Sequence, residues 1–395
     1  MVNLGMTPLA NSYIPLSCFA SSERFYPLQA FVCRDCLLVQ VEEFESPDQI
    51  FGDYAYFSSY SQTWLEHSKR YCAMAFERFH LGSKSLAVEI ASNDGYLLQY
   101  LKSMGVPVLG IEPAANVAKV AEEKGIPTLV KFFGTATAKE LVRKGRSADL
   151  LLGNNVLAHV PDLNDFVQGL KILLKPEGSL TMEFPHLYQA LTQNQFDTIY
   201  HEHFSYFSLN TVEKIFNHHG LELFDVQELP THGGSLRIFA QHSQSSVNEK
   251  RNSVAAIKEK EKSAGLLSLA TYKEFESRVQ ETKRKLLSFL IKAKQDGKSV
   301  VGYGAPAKGN TLLNYCGIGR DFLDYTVDIS PHKQGSLLPG TRIPIMHPDK
   351  IKETKPDFIF ILPWNFKDEI IGKSEFVREW GGKFVVPIPQ VQIID

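Results

Sequence analysis

The sequence predicts an α/β protein with two parallel-sheet units behind a small strand-rich N-terminal region. Two runs of alternating strand-like and helix-like segments, residues 86–184 and 299–362, carry this prediction. Strands that alternate with helices form βαβ units, whose buried strands are short apolar runs such as LAVEIA at residues 86–91. Between the two runs, residues 248–294 are charged with helical apolar spacing, which predicts one or two long structural helices.

Composition narrows the class of protein. The 395 residues allow two or three domains, and 44% hydrophobic with 22% charged residues is typical of a globular protein. A formal net charge of −2 disfavours a general nucleic-acid binder, which normally carries a basic surplus. No apolar run approaches the roughly 18 residues of a membrane span, and the N-terminus lacks a signal-peptide pattern. The five cysteines are odd in number and mostly isolated, which fits a reducing cytoplasm better than a disulfide framework. We therefore expect a cytoplasmic protein, and from its charge and apolar runs we expect no nucleic-acid or membrane partner.

The first 60 residues have little helical periodicity and are rich in Pro, Tyr and Phe, which predicts a β-rich module. Cys33 and Cys36 form a CxxC whose spacing suits two thiolates on a tetrahedral zinc ion. A structural zinc site needs four ligands and no second CxxC follows, so the pair is either half of a site or two reduced thiols. The cluster DYAYFSSYS at residues 53–61 is either a packed connector or a site wall to which Tyr54 or Tyr56 offers a hydroxyl.

Polar side chains stand where the strands of the first α/β unit end, which is where parallel sheets bind ligands. Gly95 closes the turn EIASNDG and lets the backbone approach a ligand closely. Glu112 ends the second strand, where an acid can accept hydrogen bonds from ribose hydroxyls. With one glycine the turn is not GxGxxG, which favours an adenosyl ligand over a dinucleotide; the alternative is a tight turn beside a solvated Glu. The strand ends carry residues 89–95, Glu112, Asn154, Asn155 and Glu183.

Residues 195–208, QFDTIYHEHFSYFS, form an aromatic–histidine stretch after the predicted strand at residues 179–184. Pocket walls often combine apolar rings with a few polar groups, here Tyr200, His201, Glu202, His203 and Tyr206. Histidine is the side chain best suited to proton transfer near neutral pH. The alternative is a buried aromatic loop with hydrogen-bonded histidines.

The second α/β unit opens with a glycine-rich turn, GAPAKGN at residues 304–310. Backbone N–H groups at a helix start, together with a cation, form a phosphate site. We therefore expect Gly304, Lys308 and Asn310 to hold a nucleotide diphosphate. As an NAD fingerprint the turn is imperfect, and a nicotinamide-dependent sugar-modifying enzyme stays an alternative.

Motifs along nearly all 395 residues carry a resemblance to a known family. They are LGMTPLANSY, VCRDCLLVQ, DYAYFSSYS, EIASNDGYLL, GIEPAANVA, NNVLAHVPDLNDF, EFPHL, QFDTIYHEHFSYFS, THGGSLRIF, GYGAPAKGNTLLNYC and LPWNF. In these stretches the chain resembles the S-adenosylmethionine (SAM)-dependent sugar C-methyltransferases, which add a branch methyl group to NDP-4-keto-deoxysugars.

The resemblance implies two Rossmann-like doubly wound domains behind a small β-rich module of zinc-binding type. The implied parts are the module at residues 1–62, a SAM-binding domain at 63–245, a helical linker at 246–296 and a nucleotide-sugar-binding domain at 297–395. Family members carry another CxxC upstream of the LGMTPLANSY motif, and this chain begins almost on that motif. Cys33 and Cys36 would be the second half of a four-thiolate structural zinc site whose first half this sequence lacks, as in a truncated reading frame or a natural variant.

The resemblance also implies roles for individual residues, with SAM and a dTDP-4-keto-deoxysugar meeting between the domains. The family's proposed base matches His203. SAM would contact Glu89, Asn93, Asp94, Gly95, Glu112 through its ribose, Phe132 and Phe133 near its adenine, and Asn154 and Asn155 near its methionine part. The sugar would contact Tyr54, His159, Tyr200, Glu202 and His203.

Carbon methylation needs an enolate, because a C–H carbon is not a nucleophile. The expected mechanism has His203 remove the proton beside the ketone while Tyr200 or His159 donates to the enolate oxygen. One alternative is a SAM-dependent O- or N-methyltransferase, which attacks with a heteroatom and needs no ketone. Another is a non-catalytic nucleotide-sugar-binding protein.

Overall fold

The computed structural model describes residues 1–52 and 57–395, so the predicted site residue Tyr54 lies outside the described chain. The protein is an α/β protein with a strand-rich N-terminal sheet and two larger sheets, each covered by helices. This architecture confirms the fold class predicted from the alternation of apolar segments. No helix of the described chain is long and apolar enough to cross a membrane.

The largest sheet has seven strands, five of them parallel. Its two remaining strands form an antiparallel hairpin at one edge. All residues of the inner strand Ala87–Ile90 are buried, because helices cover both faces. In spatial order the strands are Leu221–Leu229, Ser235–His242, Leu174–Pro185, Ala148–Asn154, Ala87–Ile90, Val108–Ile111 and Thr128–Leu129.

The C-terminal sheet has six strands, five parallel and the last antiparallel. The glycine-rich turn follows its central strand and leads into the helix Ala307–Cys316. The sequence predicted a strand at residues 325–328, which the structure has as Thr326–Val327. It did not predict the edge strand Ile345–Met346 or the two C-terminal strands of this sheet. In spatial order the strands are Ile345–Met346, Thr326–Val327, Val300–Tyr303, Phe358–Ile361, Lys383–Val386 and Gln392–Ile394.

The N-terminal sheet includes a piece of the aromatic–histidine stretch. Strand Ser205–Tyr206 pairs antiparallel with strand Val39–Val41, so the stretch becomes the fourth strand of the module. The module also reaches the C-terminal domain, because strand Ile14–Pro15 pairs with strand Ser336–Leu337. The remaining strands of the N-terminal sheet are Val2–Thr7 and Tyr26–Val32.

The charged segment between the two α/β units forms two helices that pack on different cores. Helix Asn252–Ser263 buries Val254 and Ile257 in the core of the seven-stranded sheet. Helix Leu269–Gln295 begins at the N-cap Ser268, whose side chain accepts the N–H of Ala270. It buries one heptad-spaced stripe in a single core shared by the N-terminal and C-terminal sheets. That stripe is Tyr272, Phe275, Val279, Thr282, Leu286, Leu290 and Ala293.

The other helices cover the sheets or connect their strands. The α-helices are Pro47–Phe51, Gln62–Arg78, Leu98–Ser103, Ala115–Glu123, Thr135–Arg143, Leu163–Leu173, Leu187–Thr192, Leu209–His218, Lys350–Thr354 and Lys367–Lys373. The 3-10 turns are Leu16–Cys18, Ser58–Tyr60, Leu157–His159, Phe196–Thr198, Thr231–Gly233, Trp364–Phe366 and Glu375–Trp380.

A buried carboxylate holds the segment that follows the aromatic–histidine stretch. Glu261 accepts the backbone N–H groups of Leu209 and Asn210, and its Oε1 lies 2.7 Å from Nε2 of His186. Replacing Glu261 with Ala leaves these buried groups unsatisfied, so we expect the free energy of unfolding to fall by about 3–5 kcal/mol. Urea unfolding measures this loss.

Glu259, on the same helix, is the matched control. Its side chain is 65% exposed and pairs with Lys262 at 3.4 Å. Glu259→Ala should change the free energy of unfolding by less than about 0.5 kcal/mol. Equal losses in the two variants would contradict the structural role of Glu261.

Candidate active site

The predicted SAM residues meet at the carboxyl edge of the seven-stranded sheet. Three adjacent parallel strands end there, at Ile90, Ile111 and Asn154. Gly95 has φ +75°, and a Cβ at this position would stand 3.0 Å from Ile126 Cγ1. A side chain would therefore be strained there, which explains the single glycine of the turn.

Glu112 joins the first two turns of this edge. Its Oε2 accepts the N–H of Asn93 and its Oε1 accepts the N–H of Ala114, both at 2.9 Å. Burial raises the pKa of the Glu112 carboxyl, and these two backbone donors oppose that rise. A carboxylate offers about four lone-pair sites, so Glu112 keeps acceptor capacity for two ribose hydroxyls.

Several buried polar atoms at this edge have no protein partner within the described residues. They are Oγ of Ser92, Oδ1 of Asp94, both amide atoms of Asn154 and Oδ1 of Asn155. Buried polar groups are normally hydrogen-bonded, so unsatisfied ones at one place indicate a ligand. A ligand with ribose hydroxyls, an amino group and a carboxylate fits this mixed donor and acceptor set, and SAM has all three.

The other residues that were predicted to contact SAM, Glu89, Phe132 and Phe133, lie in three different environments. Glu89 lies fully buried beneath the turn, and burial raises the pKa of its carboxyl well above the usual range. Phe132 is 41% exposed and can cover a flat ring. Phe133 instead packs edge-on against Phe166, with ring centroids 5.4 Å apart, so its ring faces the core.

His203 has a defined tautomer. Its Nδ1 lies 3.2 Å from the carbonyl oxygen of Thr198, which can only accept, so Nδ1 carries the hydrogen. In the neutral ring Nε2 is then an acceptor, and the Tyr200 hydroxyl donates to it at 2.7 Å. The aromatic–histidine stretch therefore contains a neutral imidazole whose basic nitrogen is bonded to a phenol.

The surroundings of His203 keep its ring uncharged. Burial, and then the nearby His159, lower the pKa of His203 well below its usual value. Burial likewise lowers the pKa of His159 to about 4, and the centroids of the two rings are 4.7 Å apart. A void of about 10 Å³ borders His203, which is at the limit of what holds one water molecule. Both rings are thus neutral at physiological pH.

Glu202 lies between Tyr200 and His203 in sequence. Its carboxyl is buried and accepts from the side-chain amide of Asn11. Nδ2 of Asn11 lies 2.8 Å from its Oε1 and 2.9 Å from its Oε2. Burial raises the pKa of Glu202 to about 7, even though Asn11 and the charge of Lys333 oppose the rise. The carboxyl therefore titrates near neutral pH.

His232 also belongs to this cluster, although the sequence analysis gave no role to the histidine of the THGGSLRIF motif. Its Nε2 lies 2.8 Å from Nδ2 of Asn155, and its ring stands edge-on to Trp64 at 5.2 Å. The residue adopts a left-handed φ of +54°, which is strained for a residue with a side chain. In the sequence, the feature that could have pointed to this residue is a histidine directly before two glycines.

A buried network holds the turn that carries His232. The Glu183 carboxylate accepts from the Thr231 hydroxyl at 2.8 Å and from Arg237 at 2.9 Å. Its Oε2 also lies 2.9 Å from Nε2 of His67. Burial would raise the pKa of Glu183, but His67 and Arg237 outweigh it and the pKa is lowered. Glu183 is therefore a positioning group and has little acceptor capacity left for a ligand.

The glycine-rich turn lies against the histidines. Nζ of Lys308 donates to Oδ1 of Asn365 at 2.8 Å and stands 4.6 Å above the Trp364 ring. Burial lowers the pKa of Lys308 to about 8, and the negative charge of Asp197 opposes this. Lys308 is thus a buried cation at the predicted phosphate site. Its charge adds to burial in lowering the pKa of His203 and of His232.

Two other residues of this turn, Gly304 and Asn310, are each in close contact with a different segment. Gly304 has φ +86°, and a Cβ there would stand 2.5 Å from Pro363. Nδ2 of Asn310 donates to the carbonyl oxygen of Ala10 at 2.6 Å, while its Oδ1 has no partner in the described chain.

The CxxC forms the turn between two strands of the N-terminal sheet. Backbone amides of Cys36 and Asp35 lower the pKa of the Cys33 thiol, while burial raises that of Cys36. Outside residues 53–56, no group of three or more His, Cys, Asp or Glu side chains could hold a metal ion. The residues present therefore supply two of the four ligands that a structural zinc site requires.

Family models match three consecutive parts of the chain. A putative zinc binding domain matches residues 1–51 and a methyltransferase domain matches residues 64–226. A C-methyltransferase C-terminal domain matches residues 230–389. Together with the sheet edge described above, these matches define a SAM-dependent methyltransferase.

Relatives identify the family more narrowly. The C-methyltransferase NovU of Streptomyces niveus is 37% identical over 394 residues, covering 100% of this chain and 94% of that protein. The chain belongs to this C-methyltransferase family.

A ubiquinone biosynthesis O-methyltransferase of Bartonella bacilliformis is 25% identical over 132 residues, covering 32% of this chain and 53% of that protein. The magnesium protoporphyrin IX methyltransferase of Synechocystis PCC 6803 superposes with a TM-score of 0.35 at 15% identity, over 45% of this chain and 79% of that one.

The prediction that Asn154 contacts SAM has a direct test. Because neither amide atom of Asn154 has a protein partner, Asn154→Ala should leave the free energy of unfolding of the SAM-free protein unchanged or slightly higher. The affinity for SAM should fall by about tenfold, which corresponds to the loss of one hydrogen bond. Calorimetric titration with SAM measures this, with the exposed Asn217→Ala as control. Unchanged affinity in Asn154→Ala would contradict the assignment.

Proposed function

We propose that the protein is a SAM-dependent C-methyltransferase that methylates the carbon next to the ketone of an NDP-4-keto-deoxysugar. The observation that carries this proposal is the buried, neutral His203, whose Nε2 accepts the Tyr200 hydroxyl. A proton on carbon needs an uncharged base shielded from water, and a buried imidazole with a fixed tautomer meets that need. Membership of a C-methyltransferase family supports a carbon acceptor.

The proposed reaction begins with removal of the proton beside the ketone by Nε2 of His203. The electron pair of the broken C–H bond forms the enolate, whose negative charge rests on the ketone oxygen. Tyr200 and His159 are the groups that would donate to this oxygen. SAM supplies the methyl group as an electrophile, and the carbon takes it with release of S-adenosylhomocysteine. The protein contributes mainly alignment and charge placement.

The hydrogen bond between Tyr200 and His203 has a consequence for this mechanism. Nε2 of His203 is already occupied by the Tyr200 hydroxyl, so it cannot approach a substrate proton until that bond breaks. We propose that the ketone oxygen of the sugar draws the Tyr200 hydroxyl away. The same substrate group would then free the base and receive the donor that stabilises the enolate.

The nucleotide half of the substrate is proposed to bind on the C-terminal domain. Gly304, Lys308 and Asn310 stay the residues proposed for the diphosphate, and the charge of Lys308 supports them. Because Lys308 also lies near His203, the same cation would raise the acidity of the sugar proton. A cytoplasmic location is proposed as well, because the cysteines of the sequence are odd in number and mostly isolated.

His203→Asn tests the proposed base. We expect methyl transfer to fall by at least about a thousandfold, because proton abstraction loses its acceptor, while SAM affinity changes little. His201→Asn is the matched control, since His201 reaches the Pro27 carbonyl oxygen of the N-terminal sheet at 3.1 Å. Turnover of labelled SAM in both variants is the measurement, and wild-type turnover in His203→Asn would rule out this base.

The substrate class is tested with labelled SAM and a panel of NDP-4-keto-deoxysugars, with products identified by mass and NMR. Solvent deuterium should enter the carbon next to the ketone without methyl transfer when SAM is replaced by S-adenosylhomocysteine. An O- or N-methyltransferase would give no such exchange. Normal nucleotide binding without turnover on any sugar would instead support a non-catalytic binder.

The pH dependence should follow Glu202. Since its pKa is raised to about 7, its ionised fraction falls as pH drops through 7, instead of near the usual value for a glutamate. If the ionised form binds a sugar hydroxyl, kcat/KM should rise through about pH 7. His203 and His159 should not contribute to this rise, because their lowered pKa values keep both rings neutral through that range. Glu202→Gln should remove the rise, and persistence of the rise in that variant would contradict this role.

A further inference from the structure

The LGMTPLANSY motif places an amide against the active-site carboxyl. Asn11 and Glu202 are 191 residues apart in sequence, yet Nδ2 of Asn11 faces both oxygens of Glu202, at 2.8 and 2.9 Å. We propose that Asn11 is a positioning residue that fixes the Glu202 carboxylate for the substrate and ties it to the C-terminal domain. This inference rests on the proposed role of Glu202 in binding the sugar.

The orientation of the Asn11 amide is defined by its contact with Glu202. The Tyr13 hydroxyl donates to the carbonyl oxygen of Ala305 at 2.6 Å and also lies 3.3 Å from Oδ1 of Asn11. An ionised carboxylate can only accept, so the NH₂ group of Asn11 has to face Glu202 and its oxygen has to face Tyr13. Because the hydrogen of the Tyr13 hydroxyl is already donated to Ala305, the two contacts with Glu202 are what hold the amide.

The segment that carries Asn11 is attached to the C-terminal domain on both sides. Before it, the carbonyl oxygen of Ala10 accepts from Nδ2 of Asn310 at 2.6 Å. After it, the strand Ile14–Pro15 pairs with Ser336–Leu337. The attachment points include Asn310 and Ala305 of the glycine-rich turn, where the nucleotide is proposed to bind. A shift of that turn would therefore move the donor of Glu202.

The charge environment gives this contact a measurable effect. Asn11 and Lys333 both favour the ionised form of Glu202, while burial disfavours it more strongly. Lys333 donates to Ala305 at 2.9 Å and stands 5.2 Å from the Tyr13 ring. Removing the Asn11 amide should therefore make Glu202 harder to ionise. The titratable and charged groups around Glu202 are Tyr13 of the N-terminal segment, Lys333 of the C-terminal domain, His159 of the methyltransferase domain, and His201 and His203 beside it in the chain.

The experiment is a pH titration of the Glu202 carboxyl in the full chain. Infrared difference spectra report the protonated carboxyl, and the band lost in Glu202→Gln identifies it. In Asn11→Ala the titration midpoint should rise by about one pH unit, as expected for the loss of one charge-assisted hydrogen bond. The rise of kcat/KM near pH 7 should move upward by the same amount. Ser12→Ala, at an exposed neighbouring position, should move neither quantity.

A second variant keeps the test informative if Asn11→Ala folds poorly. Asn11→Asp has nearly the same shape but brings a like charge to Glu202, so the upward shift should exceed that of Asn11→Ala. An unmoved midpoint in both variants overturns the proposal, as does a loss of turnover that is equal at every pH with an unmoved midpoint. If the midpoint moves but wild-type protein methylates no keto-sugar, the coupling of Asn11 to Glu202 stands and only the proposed function fails.

Discussion

The burial of titratable side chains in the aromatic–histidine stretch is the constraint on which the rest of the structure depends. An apolar surrounding penalises every charge, so His203 and His159 stay neutral and Glu202 titrates near neutral pH. The same surrounding makes an unpaired polar group costly, and each one therefore needs a partner. Several of these partners come from segments far away in sequence, such as Asn11 for Glu202 and Trp364 for Asp197.

The N-terminal module makes several of the contacts around the aromatic–histidine stretch, although it is small. It receives Ser205–Tyr206 as a strand, supplies Asn11 to Glu202 and pairs Ile14–Pro15 with the C-terminal domain. Its apolar residues share one core with helix Leu269–Gln295 and the C-terminal sheet. The CxxC turn lies in the same sheet, so a metal ion held there would stiffen the wall of the active site without entering the chemistry.

The fold and half of the site could be predicted because they depend on local pattern. Short apolar runs predicted the parallel strands, and the residues at their ends, such as Gly95 and Glu112, followed from topology. Asn11, Lys308 and His232 could not be placed in this way. Their functional contacts join segments separated by up to 191 residues, and no spacing rule reports such contacts. The inward orientation of Lys308 and Phe133 likewise depends on packing against Trp364 and Phe166.

The sequence by itself determined the alternation of strands and helices, the family, and the concentration of histidine, tyrosine and glutamate in residues 195–208. Periodicity, turn residues and motifs depend on residues that are neighbours in sequence, so they can be recognised without a structure. Only the tertiary structure decided the protonation of those groups. Ionisation depends on desolvation and on donors brought from distant segments, such as Asn11 on Glu202. It also depends on how the backbone folds locally, which places the Thr198 carbonyl oxygen where it accepts from Nδ1 of His203. The aromatic–histidine stretch thus becomes a candidate active site through its burial at the junction of three sheets.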